Sequence, residues 1–193
     1  MDTKILSYDD VRGISLGSND EPLVSVQLLD NTIIIKYDKF DMVPYTGLDM
    51  MVRQSVAERL AQVNKYLYKN FRLRLQVVYG YRAPVLQQKY FKARYESLKA
   101  TCINLNDDEL IRMTHEFVAV PDSAGHTLGA AVDLTLIDAK DSELNMGGRI
   151  ADYSDPESIK TFSKSITKTQ LKNRTILLEA MMVAGFAPFL GEW

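Results

Sequence analysis

The chain is almost without cysteine: Cys102 is the only one in 193 residues. An intrachain disulfide is excluded, so packing and hydrogen bonds must hold the fold, as suits a reducing compartment. Histidine is nearly as scarce, with only His115 and His126. Imidazole chemistry therefore has two addresses. The apolar run of about 18 residues that a bilayer crossing needs is missing. The opening stretch, MDTKILSYDD, is charged and carries no apolar h-region, so it does not read as a signal peptide. Neither charge sign dominates: 23 Lys and Arg against 25 Asp and Glu leave a net charge of -2. The broad basic field of a nucleic-acid binder is absent. A soluble, cytoplasmic protein that engages neither nucleic acid nor membrane is the expectation. The sequence sets no oligomeric state.

What is present reads as one globular domain over residues 1–193. Hydrophobic residues make up 46% and charged residues 25%, an ordinary globular balance, and the length suffices to bury a core without staples. Residues 23–37, LVSVQLLDNTIIIKY, predict two strands around the turn signal Asp30-Asn31. Met51, Val52, Val56, Leu60, Val63 and Leu67 recur at helical spacing and predict a helix over 48–70. RLRLQVVYGY, 72–81, reads as a strand entering the core. Pro84 opens a helix of 84–99. Another is expected over 107–118, where an Asp-Asp-Glu first turn suits the helix dipole. A loop over 119–129 leads to a strand at 130–137. The polar stretch 138–156 has the length of a functional loop or lid. A short helix after Pro156, a longer one over 169–186 ended by Gly185, and a last strand in APFLGEW complete the series. Helices so irregularly placed argue against repeated βαβ units. An α+β domain with a mainly antiparallel central sheet and flanking helices is the expected fold.

The chemistry concentrates in SAGHTLGAAVDLTLID, residues 123–138. An aspartate inside the apolar run AAVDLTLI needs a cation, because an unpaired buried carboxylate is costly. Zinc takes imidazole nitrogen and carboxylate oxygen together, so His126 on the loop and Asp133 on the strand are candidate ligands. Gly129 would let the backbone bend between them. By alternation Asp133 shares a face with Ala131 and Thr135, opposite Val132, Leu134 and Leu136. The alternative partner is Arg82 or a lysine. Arg82, in YGYRAP, ends a strand just before a helix-opening proline, a place from which a guanidinium can clamp a carboxylate or stabilise an oxyanion. Glu192, in the terminal GEW, is of the type that acts as general base and then general acid beside activated water. A solvated tail residue is its plain alternative. His115, in MTHEF, sits in a helical pattern and reads as structural or exposed, since Glu116 beside it points about 100° away.

These segments, in this order, resemble the zinc D-alanyl-D-alanine dipeptidases of the VanX type, within the wider group of D,D-peptidases. HTLGAAVDLTL is similar to that family's His-x-x-Gly-x-Ala-x-Asp-Leu-Thr segment, GYRAP to its Gly-Tyr-Arg-Pro, NMGG to its Asp-Met-Gly-Thr loop, and GEW to the start of its Glu-Trp-Trp-His ending. The resemblance implies one zinc ion held by His126, Asp133 and a histidine expected just beyond Trp193, the chain being truncated there. It implies Glu192 as general acid/base, Arg82 as the catalytic arginine, and Ser123, Tyr81 and Asn145 as substrate-binding residues. The implied activity is hydrolysis of D-Ala-D-Ala or a similar small D-amino-acid dipeptide, a step in cell-wall peptide metabolism. Several positions depart from the family. Ala124 replaces a serine, Leu128 an arginine and Tyr79 an acidic residue; Ala83 is an extra residue before Pro84, and Asn145 stands for aspartate. A D,D-carboxypeptidase acting on longer muropeptides, or a homologue that binds peptide without turning it over, are the readings these departures leave open.

Overall fold

The structure is a computed structural model that describes residues 8–12, 14, 20–150, 152, 155–189, 191 and 193. It begins with a short helix, α1 (Tyr8–Val11). Two strands follow, β1 (Leu23–Ser25) and β2 (Ile34–Ile35), but they do not pair with each other. The reason lies in the turn between them. The Asp30 carboxylate accepts from the amide of Thr32 at 2.9 Å and its hydroxyl at 2.6 Å, closing the turn on itself. It also takes the side-chain amide of Asn64 at 2.8 Å. The turn is thus bound to a helix, and each strand goes to another partner. After a single helical turn, α2 (Val43–Thr46), comes β3 (Met51–Arg53), which pairs antiparallel with β1.

The helix expected over 48–70 begins later, as α3 (Gln54–Phe71). Met50 and Val52 are both buried, the period-two pattern of a strand, so this stretch goes to the β1–β3 ribbon. From Val56 onward the helical period holds. Val56, Leu60, Val63 and Leu67 form one buried stripe, and Arg72 stops the helix in a left-handed conformation at φ 58°. β4 (Arg74–Tyr79) follows and is the middle strand of a three-stranded sheet. It pairs parallel with β2 on one side and antiparallel with β5 (Asp133–Ile137) on the other.

Between β4 and β5 the chain forms α4 (Pro84–Thr101), α5 (Asp107–His115) and two 3-10 turns, Pro121–Ser123 and Gly125–Leu128. Asn106 and Glu109 cap α5 reciprocally. α5 ends three residues earlier than the pattern predicts, because Phe117 and Val118 leave the helix to wall a cleft. β5 likewise starts at Asp133 rather than 130. The residues before it are bonded elsewhere: the Gly129 carbonyl accepts from Arg53 N–H at 2.9 Å, and the Ala130 N–H donates to Gly125 O at 2.9 Å. Past β5 come α6 (Pro156–Ile159) and α7 (Lys168–Val183), the latter opened by a Thr167–Gln170 capping box. APFLGEW forms no strand among the described residues. Its ends dock on the α6 region instead, through Thr161 Oγ1 to Phe189 O at 2.7 Å and Trp193 N–H to Ile159 O at 3.0 Å.

The main core lies where the α3 stripe meets Leu75 and Val77 of β4, Leu134 and Leu136 of β5, and Leu177 and Ala180 of α7. The expected inward face of β5 is therefore the observed one. The architecture is α+β, with antiparallel pairs dominant and β2–β4 the parallel exception. Arg174 of α7 ties the long connection 138–155 to the helices. Buried, it donates to the carbonyls of Met146 at 2.6 Å, Lys160 at 2.7 Å and Ser158 at 2.5 Å. Burial lowers its pKa to about 10, which still leaves it charged at neutral pH.

Asn64 is the polar joint of this core. Besides Asp30, its amide donates to Thr32 Oγ1 at 2.9 Å, and its carbonyl accepts the Leu75 N–H at 2.8 Å. Asn64→Leu leaves the buried Leu75 amide without its partner and cuts the Asp30 turn from α3. Chemical denaturation should show a loss of roughly 2–3 kcal/mol, with α3 helicity retained.

Candidate functional site

β4 ends where β5 begins, at one edge of the sheet, and their register places Tyr79 opposite Asp133. The pairing skips between Val77 and Tyr79, an irregularity that re-aims the strand end. The next three residues, Gly80, Tyr81 and Arg82, run out over this edge, and Pro84 then starts α4. His126 comes to the same place from the second 3-10 turn. The Arg82 N–H donates to the His126 carbonyl at 2.9 Å, locking the two segments together. Gly129 closes that turn at φ 66°, and a Cβ there would lie 2.5 Å from Leu23 Cδ2. Both conformation and close approach thus require glycine, in keeping with the bend expected at this position.

Three of the expected residues converge here. His126 Nε2 lies 3.3 Å from Asp133 Oδ1, and Arg82 Nη2 lies 3.7 Å from Asp133 Oδ2. The side chains are only 14%, 22% and 13% exposed for His126, Asp133 and Arg82. Burial works to raise the Asp133 pKa, but neighbouring His126, with Arg82 and Lys39, outweighs it and holds the carboxyl below its ordinary value. His126 Nδ1 faces the Gly80 carbonyl at 2.8 Å. A carbonyl only accepts, so Nδ1 carries a hydrogen, and in the neutral ring Nε2 keeps its lone pair. Nε2 and the Asp133 carboxylate are then both electron-pair donors aimed at one place. A proton on Nε2 or a cation between them resolves the contact. One imidazole nitrogen and one carboxylate oxygen suit zinc, and a carbonyl on the far ring nitrogen is the usual outer partner of a ligating histidine. Among the described residues no group of three His, Cys, Asp or Glu is gathered. His126 and Asp133 fit as two ligands of a larger set.

Arg82 is held by groups that the sequence did not single out. Its Nη1 donates to Gln87 Oε1 at 2.8 Å, and the fully buried Gln87 passes its own amide to Ala119 O at 2.6 Å. The guanidinium lies 4.3 Å over the Tyr79 ring and 5.3 Å from the Tyr90 ring centre. Both phenols donate to Asp41, Tyr79 at 3.1 Å and Tyr90 to the second oxygen. Burial pushes the Tyr79 phenol well above its ordinary range, so it stays a neutral donor. Tyr79 and Tyr90 thus bring the carboxylate of Asp41 beside the Arg82 segment. The available signal was a tyrosine and an amide at turn and first-helix positions flanking Arg82. Such residues are too common to stand out.

The other candidates divide. Ser123 lines the same cleft, whose volume is about 890 Å³, with Arg82, His126 and Asp133. Tyr81 does not line it; its ring packs with Met42, Tyr79 and Ala83 in a small second core. Asn145 does not line it either. Its side-chain carbonyl is occupied by Gly147 N–H at 2.9 Å and Gln170 Nε2 at 3.0 Å. Glu192 lies outside the described residues. His115 is not exposed: at 2% exposure it is buried at the end of α5, and it lines the cleft.

The chain belongs to the D-ala-D-ala dipeptidase family, peptidase M15, whose model matches residues 38–193. Among solved structures it is similar to a mutant of the vancomycin resistance D,D-pentapeptidase VanY from a VanB-type cassette, in complex with Zn(II). The identity is 20% over 58% of this chain and 57% of that one, with a TM-score of 0.38. It is also similar to VanYB in complex with D-Alanine-D-Alanine, at 17% identity over 72% of this chain and 62% of that one, with a TM-score of 0.44. The chain therefore spans less than two thirds of either structure's length. No curated protein sequence matches it.

His115 generates a prediction of its own. Burial lowers its pKa to about 4 from 6.5. The unfolded chain takes up a proton as the pH falls below 6.5 while the folded chain does not, so acidification favours unfolding. Folding stability should decline between pH 6.5 and about 4 by roughly 2–3 kcal/mol. Urea titrations across that window check it, and His115→Asn should flatten the slope.

Proposed function

We propose that this protein is a zinc-dependent D,D-peptidase of the dipeptidase type, hydrolysing D-Ala-D-Ala or a similar small D-amino-acid dipeptide. The observation that carries the reading is the convergence of the His126 lone pair and the Asp133 carboxylate beside Arg82 in a cleft of a chain from this family. His126 and Asp133 would hold the ion, with a third ligand contributed from elsewhere. Bound zinc would supply Lewis acidity and make water a nucleophile near neutral pH. Arg82, held in place by Gln87 and the two tyrosine rings, would stabilise negative charge growing on the scissile carbonyl oxygen. Glu192 would take the proton of the attacking water and return it to the leaving amine. Ser123, on the cleft wall, is within the region where a substrate's polar ends would lie.

One observation favours a second reading within the same chemistry. A cleft of about 890 Å³ is at the drug-sized end of the usual pocket range, more than a dipeptide fills. A D,D-carboxypeptidase acting on longer peptides would use that space. The specificity ratio between D-Ala-D-Ala and a pentapeptide ending in D-Ala-D-Ala separates the two readings.

With zinc supplied, the protein should release D-alanine from at least one of these substrates. Glu192→Gln should lower kcat by at least about 100-fold, while zinc content stays unchanged. Arg82→Gln should cost roughly 100- to 1,000-fold in kcat, as for loss of one oxyanion donor. His126→Ala should instead lower zinc content. Full activity in Glu192→Gln would sink the mechanism.

A further inference from the structure

The cleft extends well beyond its charged end. On α4 the residues facing it are Tyr90, Ala93, Arg94 and Ser97, one helical stripe. At 1.5 Å per residue this stripe is about 10 Å long. Tyr90 marks one end, next to Arg82. Further along, the Arg94 guanidinium lies 5.4 Å over the Phe117 ring, two residues from His115. An extended dipeptide covers about 7 Å. A peptide cleaved at the His126–Asp133 end therefore has room to continue toward His115.

At that far end a polar atom waits without a partner. His115 Nδ1 accepts the Val120 N–H at 3.1 Å, which puts the ring hydrogen on Nε2. Nε2 is buried and has no hydrogen-bond partner among the described residues. The low pKa that burial imposes keeps the ring neutral, so Nε2–H is a plain donor. What covers it is α1. The Tyr8 ring packs edge-on against the imidazole at 5.0 Å, Val11 of the same helix lines the cleft, and from the other side the Phe189 ring lies tilted at 5.5 Å. This cover is lightly attached. α1 buries none of its own residues, and it is held by Asp9 pairing with Arg112 and by the Arg112 guanidinium 5.5 Å over the Tyr8 ring. It also precedes the 38–193 stretch that the family model matches.

We propose that the His115 end of the cleft is a subsite for a backbone carbonyl of a peptide extending upstream of the cleaved bond, and that α1 is its cover, with Tyr8 limiting the length of peptide accepted. The substrate class rests on the D,D-peptidase reading; the cover and the donor rest on the geometry.

Binding decides it without depending on turnover. The probes are D-Ala-D-Ala and a pentapeptide ending in D-Ala-D-Ala, titrated calorimetrically into the zinc-loaded full chain carrying Glu192→Gln. Tyr8→Ala removes the cover, and Arg112→Gln loosens it without touching His115. Each should tighten pentapeptide binding about three- to tenfold, the worth of one hydrogen bond, and leave the dipeptide unchanged. His115→Asn keeps an acceptor for the Val120 N–H but lacks the Nε2 donor, so added to Tyr8→Ala it should erase the gain. The proposal is overturned if pentapeptide affinity is the same in all these proteins, if the dipeptide gains equally, if His115→Asn leaves the gain intact, or if neither peptide binds. Failure of the unsubstituted protein to release D-alanine from either peptide counts against the peptidase reading alone.

Discussion

The Gly80 carbonyl governs the chemistry of the cleft, because it decides which nitrogen of His126 is free. By taking the hydrogen on Nδ1, it leaves the Nε2 lone pair of the neutral ring turned toward Asp133. The carbonyl itself is fixed by the sheet edge. A Cβ on Gly80 would stand 2.5 Å from the Met51 carbonyl, so β3 passes too closely for any side chain. The tautomer of one ring therefore traces back to the crossing of two strands. The same edge supplies Arg82 two residues later, and its backbone N–H returns to His126. Cation, imidazole and carboxylate are thus placed by main-chain geometry before any side chain chooses a rotamer.

Asp133 carries the opposing demand. Sunk at the start of β5, it loses hydration and must be compensated. His126 first, then Arg82 and Lys39, compensate its charge, and the stacked tyrosines and Gln87 hold Arg82 in turn. The guanidinium beside Asp133 is in this way fixed before any ligand arrives.

Much of this was legible in the sequence, and the parts that were not share a cause. α3, α4 and α7 carried periodic or capping signals long enough to be local properties, and their existence followed from them. The His126–Asp133 segment was legible because an aspartate in an apolar strand contradicts its surroundings. The β1–β2 hairpin failed because its turn residue, Asp30, is claimed by Asn64 from 34 residues away. No local pattern carries such a claim. The early start given to α3 failed for a similar reason, since Met51 and Val52 fit either period and the β1 ribbon decides. Gln87 and Asp41 were invisible because their roles exist only once α4 and the 38–42 segment are in place. Asn145 and Tyr81 were implied by the family resemblance alone, and the fold turns both to other partners.

Arg174 has a consequence of a different kind. Its guanidinium grips main-chain oxygens of Met146, Ser158 and Lys160, not their side chains. Every residue type presents that same oxygen. At Met146, Ser158 and Lys160 the grip is thereby independent of which side chain the gripped residue carries. One side chain in α7 therefore ties together backbone from two separate stretches, before and after α6 begins, and its loss would free three carbonyls at once.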